Sequence, residues 1–228
     1  MSGDAMHSFP SFHERAGELS DADMARVRLA DATRRFMLGA FMSDADVEHI
    51  EAAIADLESA SLHVSGPGSH QGVAASQSHF TDRSPFYGAM NPLSMPMALE
   101  RDESVGEFGC VVGRATFTDL YEGPPGHVHG GFIAAAFDEV LGMSQSLTGR
   151  PGMTGRLSVS YRSPTPLHRE IVFKGWVDRI EGRKIFTVGT AHHGDTLCAE
   201  AEGLFLSFPP EMLDRLRKGR DLSDSPSD

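Results

Sequence analysis

Cysteine is scarce. Cys110 and Cys198 are the only two in 228 residues, too few for a disulfide framework, and they are expected to be buried small hydrophobes in a reducing cytoplasm. The single tryptophan, Trp176, is expected to pack on a sheet. Long hydrophobic runs are missing too. The longest spans residues 132–137, far short of the ~18 residues a membrane helix needs, so no membrane association is expected. The N-terminus lacks the basic start and apolar stretch of a signal peptide. Positive charge is also in short supply. Lys and Arg number 20 against 32 Asp and Glu, a net charge of −12. General nucleic-acid binding, which wants a basic face, is thereby disfavoured.

The charge that is present is unevenly placed. Residues 1–60 hold 12 acids and 5 bases, whereas residues 150–184 hold 8 bases and 3 acids. A net +5 stretch in an acidic chain suits either an anionic ligand or a solvated strand face.

Residues 1–19 read as a loose leader. Ser20-Asp21-Ala22-Asp23 is a helix cap with acids in the first turn, and the helix it opens is expected to run to Leu38, with Gly39 as its stop. Ser43-Asp44-Ala45-Asp46 opens a second helix. Its Val47, Ile50, Ile54 and Leu57 form one apolar stripe, so the two are expected to make a helical hairpin, too acidic for a DNA-binding helix-turn-helix. Ser, Gly, Pro and His dominate residues 61–96, read as a surface linker in which Met90, Met95 and Met97 could form an adaptable lid. The expected organisation is a leader with the hairpin over 1–75, a linker over 76–96, a domain over 97–208 and a tail over 209–228.

Within 97–208 the texture is that of a folded domain. A short extended piece at 97–101 leads into a strand over 107–118. The rigid turn Gly123-Pro124-Pro125-Gly126 precedes a small-residue helix from Gly130 to Leu147. Four strands follow, expected as an antiparallel meander: one with Leu157, Val159 and Tyr161 in alternation, one with Ile171, Phe173 and Val177 on one face, one over 183–192, and one marked by Leu197, Ala199, Ala201 and Phe205. One long apolar helix against such a sheet is an α+β architecture.

The chemistry concentrates on that helix. Gly130 and Gly131 open it, and glycine lets a ligand approach backbone N–H groups at the positive end of the helix dipole. Such a terminus suits a carbonyl oxygen becoming an oxyanion. His129, just before, could orient the turn. Asp138 interrupts an apolar run, which is costly unless the acid is paired, solvated or used. Gly130 and Asp138 are eight residues apart, or ~12 Å along a helix. One chain therefore cannot bring them to the same carbonyl, but two antiparallel copies across a two-fold axis can.

His129-Gly130-Gly131, six residues, then Asp138, followed by the stretch from Thr154 to Pro164, resembles the hotdog-fold acyl-CoA thioesterases, in particular the PaaI-like branch and its mammalian members with an N-terminal extension. Asn91-Pro92-Leu93 adds to the resemblance. It implies a hotdog fold, an antiparallel sheet wrapped around one long central helix, with an N-terminal helical extension. It implies Gly130 as the N–H donor to the thioester oxygen, Asp138 as nucleophile or general base, Thr154 as a hydroxyl holding the water or the acid, His129 as shaping the oxyanion site, and Gly131 as allowing close packing there. Glu139, next door, points about 100° away. The implied partners are an acyl-CoA substrate and a second copy of the chain, as a homodimer or a dimer of dimers. Coenzyme A is then part of the substrate and no other cofactor is needed. Arg156, Arg183 and Lys184 are the candidates for its phosphates. The pairs His127/His129 and His192/His193 lack a third ligand at metal-binding spacing, so no metal is expected. The alternatives are an acyl-thioester hydratase or dehydratase, and a non-catalytic acyl-CoA-binding module.

Overall fold

A computed structural model describes residues 18–64, 81–150 and 152–208. The leader up to residue 17, much of the linker and the tail over 209–228 lie outside the described residues.

Two helices come first, α1 (Asp21–Phe41) and α2 (Val47–Val64). The N-terminus of α1 is a capping box. Ser20 Oγ accepts from Asp23 N–H, and the Asp23 carboxylate accepts from Ser20 N–H, so two otherwise orphaned donors are satisfied. Gly39 does not stop this helix. It continues to Phe41, because one glycine costs about 1 kcal/mol and cannot by itself end a helix. Asp46 accepts from His49 N–H at 3.0 Å and so caps α2.

The expected packed hairpin face is not formed. Val47, Ile50, Ile54 and Leu57 are 42–73% exposed, and α2 buries none of its residues. Nor do the methionines form a lid. Met95 and Met97 belong to the core, with Phe86 and Tyr87 packed against it, so the core reaches upstream of residue 97.

The sheet has six antiparallel strands: β1 (Met97–Asp102), β2 (Cys110–Thr116), β3 (Gly152–Tyr161), β4 (Glu170–Glu181), β5 (Lys184–His193) and β6 (Thr196–Ser207). Their order is β1-β2-β4-β5-β6-β3. The meander therefore covers three strands, not four: β3 lies on the far edge beside β6, and β4 pairs with β2. The eight residues between β3 and β4 make this possible by crossing the sheet and fastening onto the turn that precedes the central helix. Val128 N–H donates to Thr165 O, Leu167 N–H to Gly126 O, and His168 N–H to Phe117 O, at 2.8–3.0 Å.

The central helix α3 (Gly130–Ser146) lies across this sheet. Ile133, Ala136, Phe137, Val140 and Leu141 point into the core and are at most 1% exposed. Gly175 and Gly189, paired across β4 and β5, form the saddle beneath it. A Cβ on Gly175 would come within 2.8 Å of Val140 and Ser144, and one on Gly189 within 3.0 Å of Leu141. Only a missing side chain lets helix and sheet approach this closely. Cys110 and Cys198 are buried and unbridged. No helix among the described residues is long and apolar enough to cross a membrane.

Candidate active site

The segment leading into α3 is braced from several sides. Gly126 turns at φ +73° and its N–H donates to Glu122 Oε1 at 2.6 Å. Gly123 N–H donates to His127 O, and His129 N–H to Tyr121 O. His129 is the N-cap of α3, and its Nδ1 accepts from Gly131 N–H at 3.0 Å. In that contact Nδ1 is the acceptor, which leaves Nε2 as the nitrogen able to donate. It also uses up the Gly131 N–H. The N–H of Gly130 has no acceptor among the described residues, while Gly130 O accepts from the Tyr161 hydroxyl at 2.8 Å. Tyr161 therefore anchors the first turn of α3 from the last residue of β3. Its period-two phase with Leu157 and Val159 was the signal in the sequence, but nothing there pointed to this partner.

Two turns on, Asp138 is half-buried and its Oδ1 accepts from Thr154 Oγ1 at 2.8 Å. The carboxylate is thus held by a hydroxyl from the edge strand. Glu139 turns away from this contact. Burial, and then the charge of Asp138, pushes its carboxyl up to about 7. On that side lies Tyr87, whose phenol is held above its ordinary value by burial and then by the negative charges of Glu139 and Asp82.

Of the residues singled out in the sequence, the structure brings Thr154 to Asp138 and gathers His129, Gly130 and Gly131 into one capped turn. It does not bring the basic candidates to them. A β-bulge between Thr154 and Arg156 pairs Thr154 with Phe205 but Arg156 with Leu204. Phe205 faces α3, against Gly142, so Arg156 projects from the opposite face of the sheet. Arg183 Nε donates to Ser207 O at 2.9 Å, and Lys184 begins β5. Both lie at the Thr154 end of the sheet, two strands over, or about 10 Å at ordinary strand spacing. The basic stretch is also partly neutralised. Arg162 pairs with Glu200, and Arg179 pairs with Asp178 and Glu181 and lies over the ring of Phe186. No group of three or more His, Cys, Asp or Glu among the described residues could hold a metal ion.

The sequence profile of the thioesterase superfamily matches residues 125–200, the span that holds the capped turn, Asp138 and Thr154. The crystal structure of protein RHA08564, a thioesterase superfamily protein, is 33% identical, with a TM-score of 0.70 over 79% of this chain and 94% of that one. This chain belongs to the thioesterase superfamily. That likeness covers more of this chain than residues 97–228 make up, so it includes part of the N-terminal region. Acyl-coenzyme A thioesterase THEM4 of Bos taurus is 39% identical over 92 residues, 40% of this chain and 38% of that protein. Acyl-coenzyme A thioesterase THEM5 of Homo sapiens is 34% identical over 92 residues, 40% of this chain and 37% of that protein. The match thus spans about two fifths of the length of these curated relatives.

Proposed function

We propose that this chain hydrolyses an acyl-CoA thioester to a free acid and coenzyme A. The observation that carries the reading is the Asp138–Thr154 hydrogen bond of 2.8 Å, on a helix whose first N–H is left without an acceptor. The Asp138 carboxylate, oriented by the Thr154 hydroxyl, is the nucleophile or general base. The Gly130 N–H of a second copy takes the charge that builds on the carbonyl oxygen. The carbon–sulfur bond breaks, the thiolate leaves and takes a proton from solvent, and water supplies the hydroxyl of the acid. Lys184 pairs with Leu206 and so shares with Arg156 the face of the sheet away from α3; with Arg183 these cations, at the Thr154 end of the sheet, are the groups offered to the phosphates of coenzyme A.

The second copy is a geometric requirement, since Gly130 and Asp138 of one helix are ~12 Å apart. Edge strand β3, ten residues long and exposed over much of its length, offers the surface. An unpaired edge of that length calls for a partner. Two copies joined edge to edge about a two-fold axis would set their central helices antiparallel, which is the arrangement a homodimer, or a dimer of dimers, would use. The hydratase reading is less well served. It wants a histidine free to move protons, whereas Nδ1 of His129 is committed to Gly131.

Release of free thiol from a panel of acyl-CoAs tests the activity, and Asp138→Asn should lower it at least ~100-fold. Unchanged turnover would remove Asp138 from the mechanism. Tight binding of every ester with no release would favour the binding module. A mixture of Asp138→Asn and Gly130→Pro chains, each inactive alone, should recover about a quarter of the wild-type rate if the site is shared between copies. Proline is tolerated at the first helical position and removes the N–H. No recovery would place the whole site within one chain.

A further inference from the structure

A cavity of about 710 Å³ lies between α1, the segment before β1 and the first turn of α3. Its walls include Met37 and Leu38 of α1, Met95 and Met97, Leu120, and Phe132 of α3. From these residues, we infer that the N-terminal helix α1 forms one wall of the slot that takes the acyl chain, and that the preferred substrate carries a straight aliphatic acyl group. The inference rests on the hydrolysis reading and adds to it the class of acyl group and the residues that select it.

Continuity with the site comes first. Phe132 is two residues beyond Gly130, and its ring packs edge-on against Tyr121 at 4.9 Å. Phe132 thus lines the cavity from the same first turn of α3 that carries the Gly130 N–H. The volume lies within the ~300–1,000 Å³ typical of small-molecule sites.

The lining comes second. The charged groups at its rim are already engaged. Arg34 Nη1 donates to Asn91 O at 2.8 Å and to Ser94 Oγ at 3.1 Å. Arg35 pairs with Asp31, and Arg114 lies 3.4 Å from both Glu100 and Glu170. The Tyr121 hydroxyl donates to Ser94 O at 3.4 Å. These charged and polar groups are held at the rim by their own contacts, and the walls between them are apolar, so the space suits an uncharged chain. Three methionines, Met37, Met95 and Met97, give it unbranched, adaptable walls that follow a flexible chain better than a rigid ring.

Third, α1 is tied in place. The Arg34 contacts bind it to the segment that carries Met95, so Leu38, one turn later on the helix, is held at the wall.

The test is kcat/KM for acetyl-, butanoyl-, octanoyl- and dodecanoyl-CoA with the full chain. Each methylene that enters the slot should raise it by up to about fourfold. Leu38→Trp, which fills the space, should leave acetyl-CoA turnover within about twofold and lower dodecanoyl-CoA turnover at least about tenfold. A chain-length profile that superimposes on the wild type would overturn the inference. If the tryptophan variant loses acetyl-CoA turnover as well, Leu38→Ala decides: a shift of the optimum towards longer chains supports the slot, and an unmoved optimum overturns it. If the wild type releases thiol from none of these esters, the hydrolysis reading fails, and dansyl-undecanoic acid fluorescence judges the slot on its own. Binding weakened at least about tenfold by Leu38→Trp supports it, and equal binding in both proteins overturns it.

Discussion

Helices α2 and α3 are nearly the same length, 18 and 17 residues, and both carry apolar residues at helical spacing. The second buries eight of its residues and the first none. The difference lies in what faces them. Helix α3 meets a sheet hollowed out by Gly175 and Gly189, so its branched side chains settle against the strands. Helix α2 follows a short polar turn and meets no such surface among the described residues. An apolar stripe states which side of a helix prefers to be covered; the shape opposite decides whether it is.

The contrast can be broken from the α3 side first. Gly175→Ala places a methyl where Val140 and Ser144 already lie within 2.8 Å. It should cost about 2 kcal/mol, a fall of roughly 4–8 °C in Tm, with thiol release falling in parallel as α3 lifts. A Tm unchanged by calorimetry would mean that the saddle is looser than the distances imply.

The side of α3 away from the sheet gives a pH-dependent effect. Glu139 keeps its proton up to about pH 7 in the folded chain, against an ordinary value of 4.5. Between those two values the native state binds more protons than the unfolded one, so stability is full below about pH 4.5 and is lost as pH rises through 7. Glu139→Gln cannot ionise and should flatten that decline, by on the order of 1–3 kcal/mol at pH 7.5. Urea unfolding of both proteins from pH 4.5 to 7.5 measures it. Parallel curves would show that the carboxyl ionises as it does in water.

The smallest effect is expected on α2. Ile54 is 44% exposed, and Ile54→Ser should change stability by less than about 0.5 kcal/mol. A loss several times larger in the same unfolding experiment would reveal that something covers the stripe after all, and the contrast would then be one of partner rather than of exposure.

Much of the fold was legible in the sequence because it is locally encoded. Two glycines followed by small apolar residues mark α3, period-two alternation marks β3, and Gly182 and Gly194, at φ +60° and +53°, punctuate the hairpins. What escaped is non-local. The edge position of β3 follows from a connection whose hydrogen bonds reach back to Phe117, Gly126 and Val128, and nothing within 162–169 announces those partners. Arg156 was named only for its charge; a regular period of two would put it on the face of Thr154, and one extra residue at Gly155 reverses that. Met95 looked like a linker residue because its neighbours are Ser and Pro, yet it is buried in the core. In the site, the resemblance pointed to the pairing of Asp138 with Thr154, while Tyr161 on Gly130 depends on where β3 ends, which only the assembled sheet determines.

The crossing segment between β3 and β4 sets an order of events. The loop in front of α3 is clasped by amino acids that the ribosome adds some forty positions later. A nascent polypeptide that has reached Tyr161 already holds His129, Gly130, Asp138 and Thr154, yet lacks the clasp that steadies the turn in front of them. Competence must therefore arrive with the second half of the sheet, and contacts this distant in sequence make for slow closure.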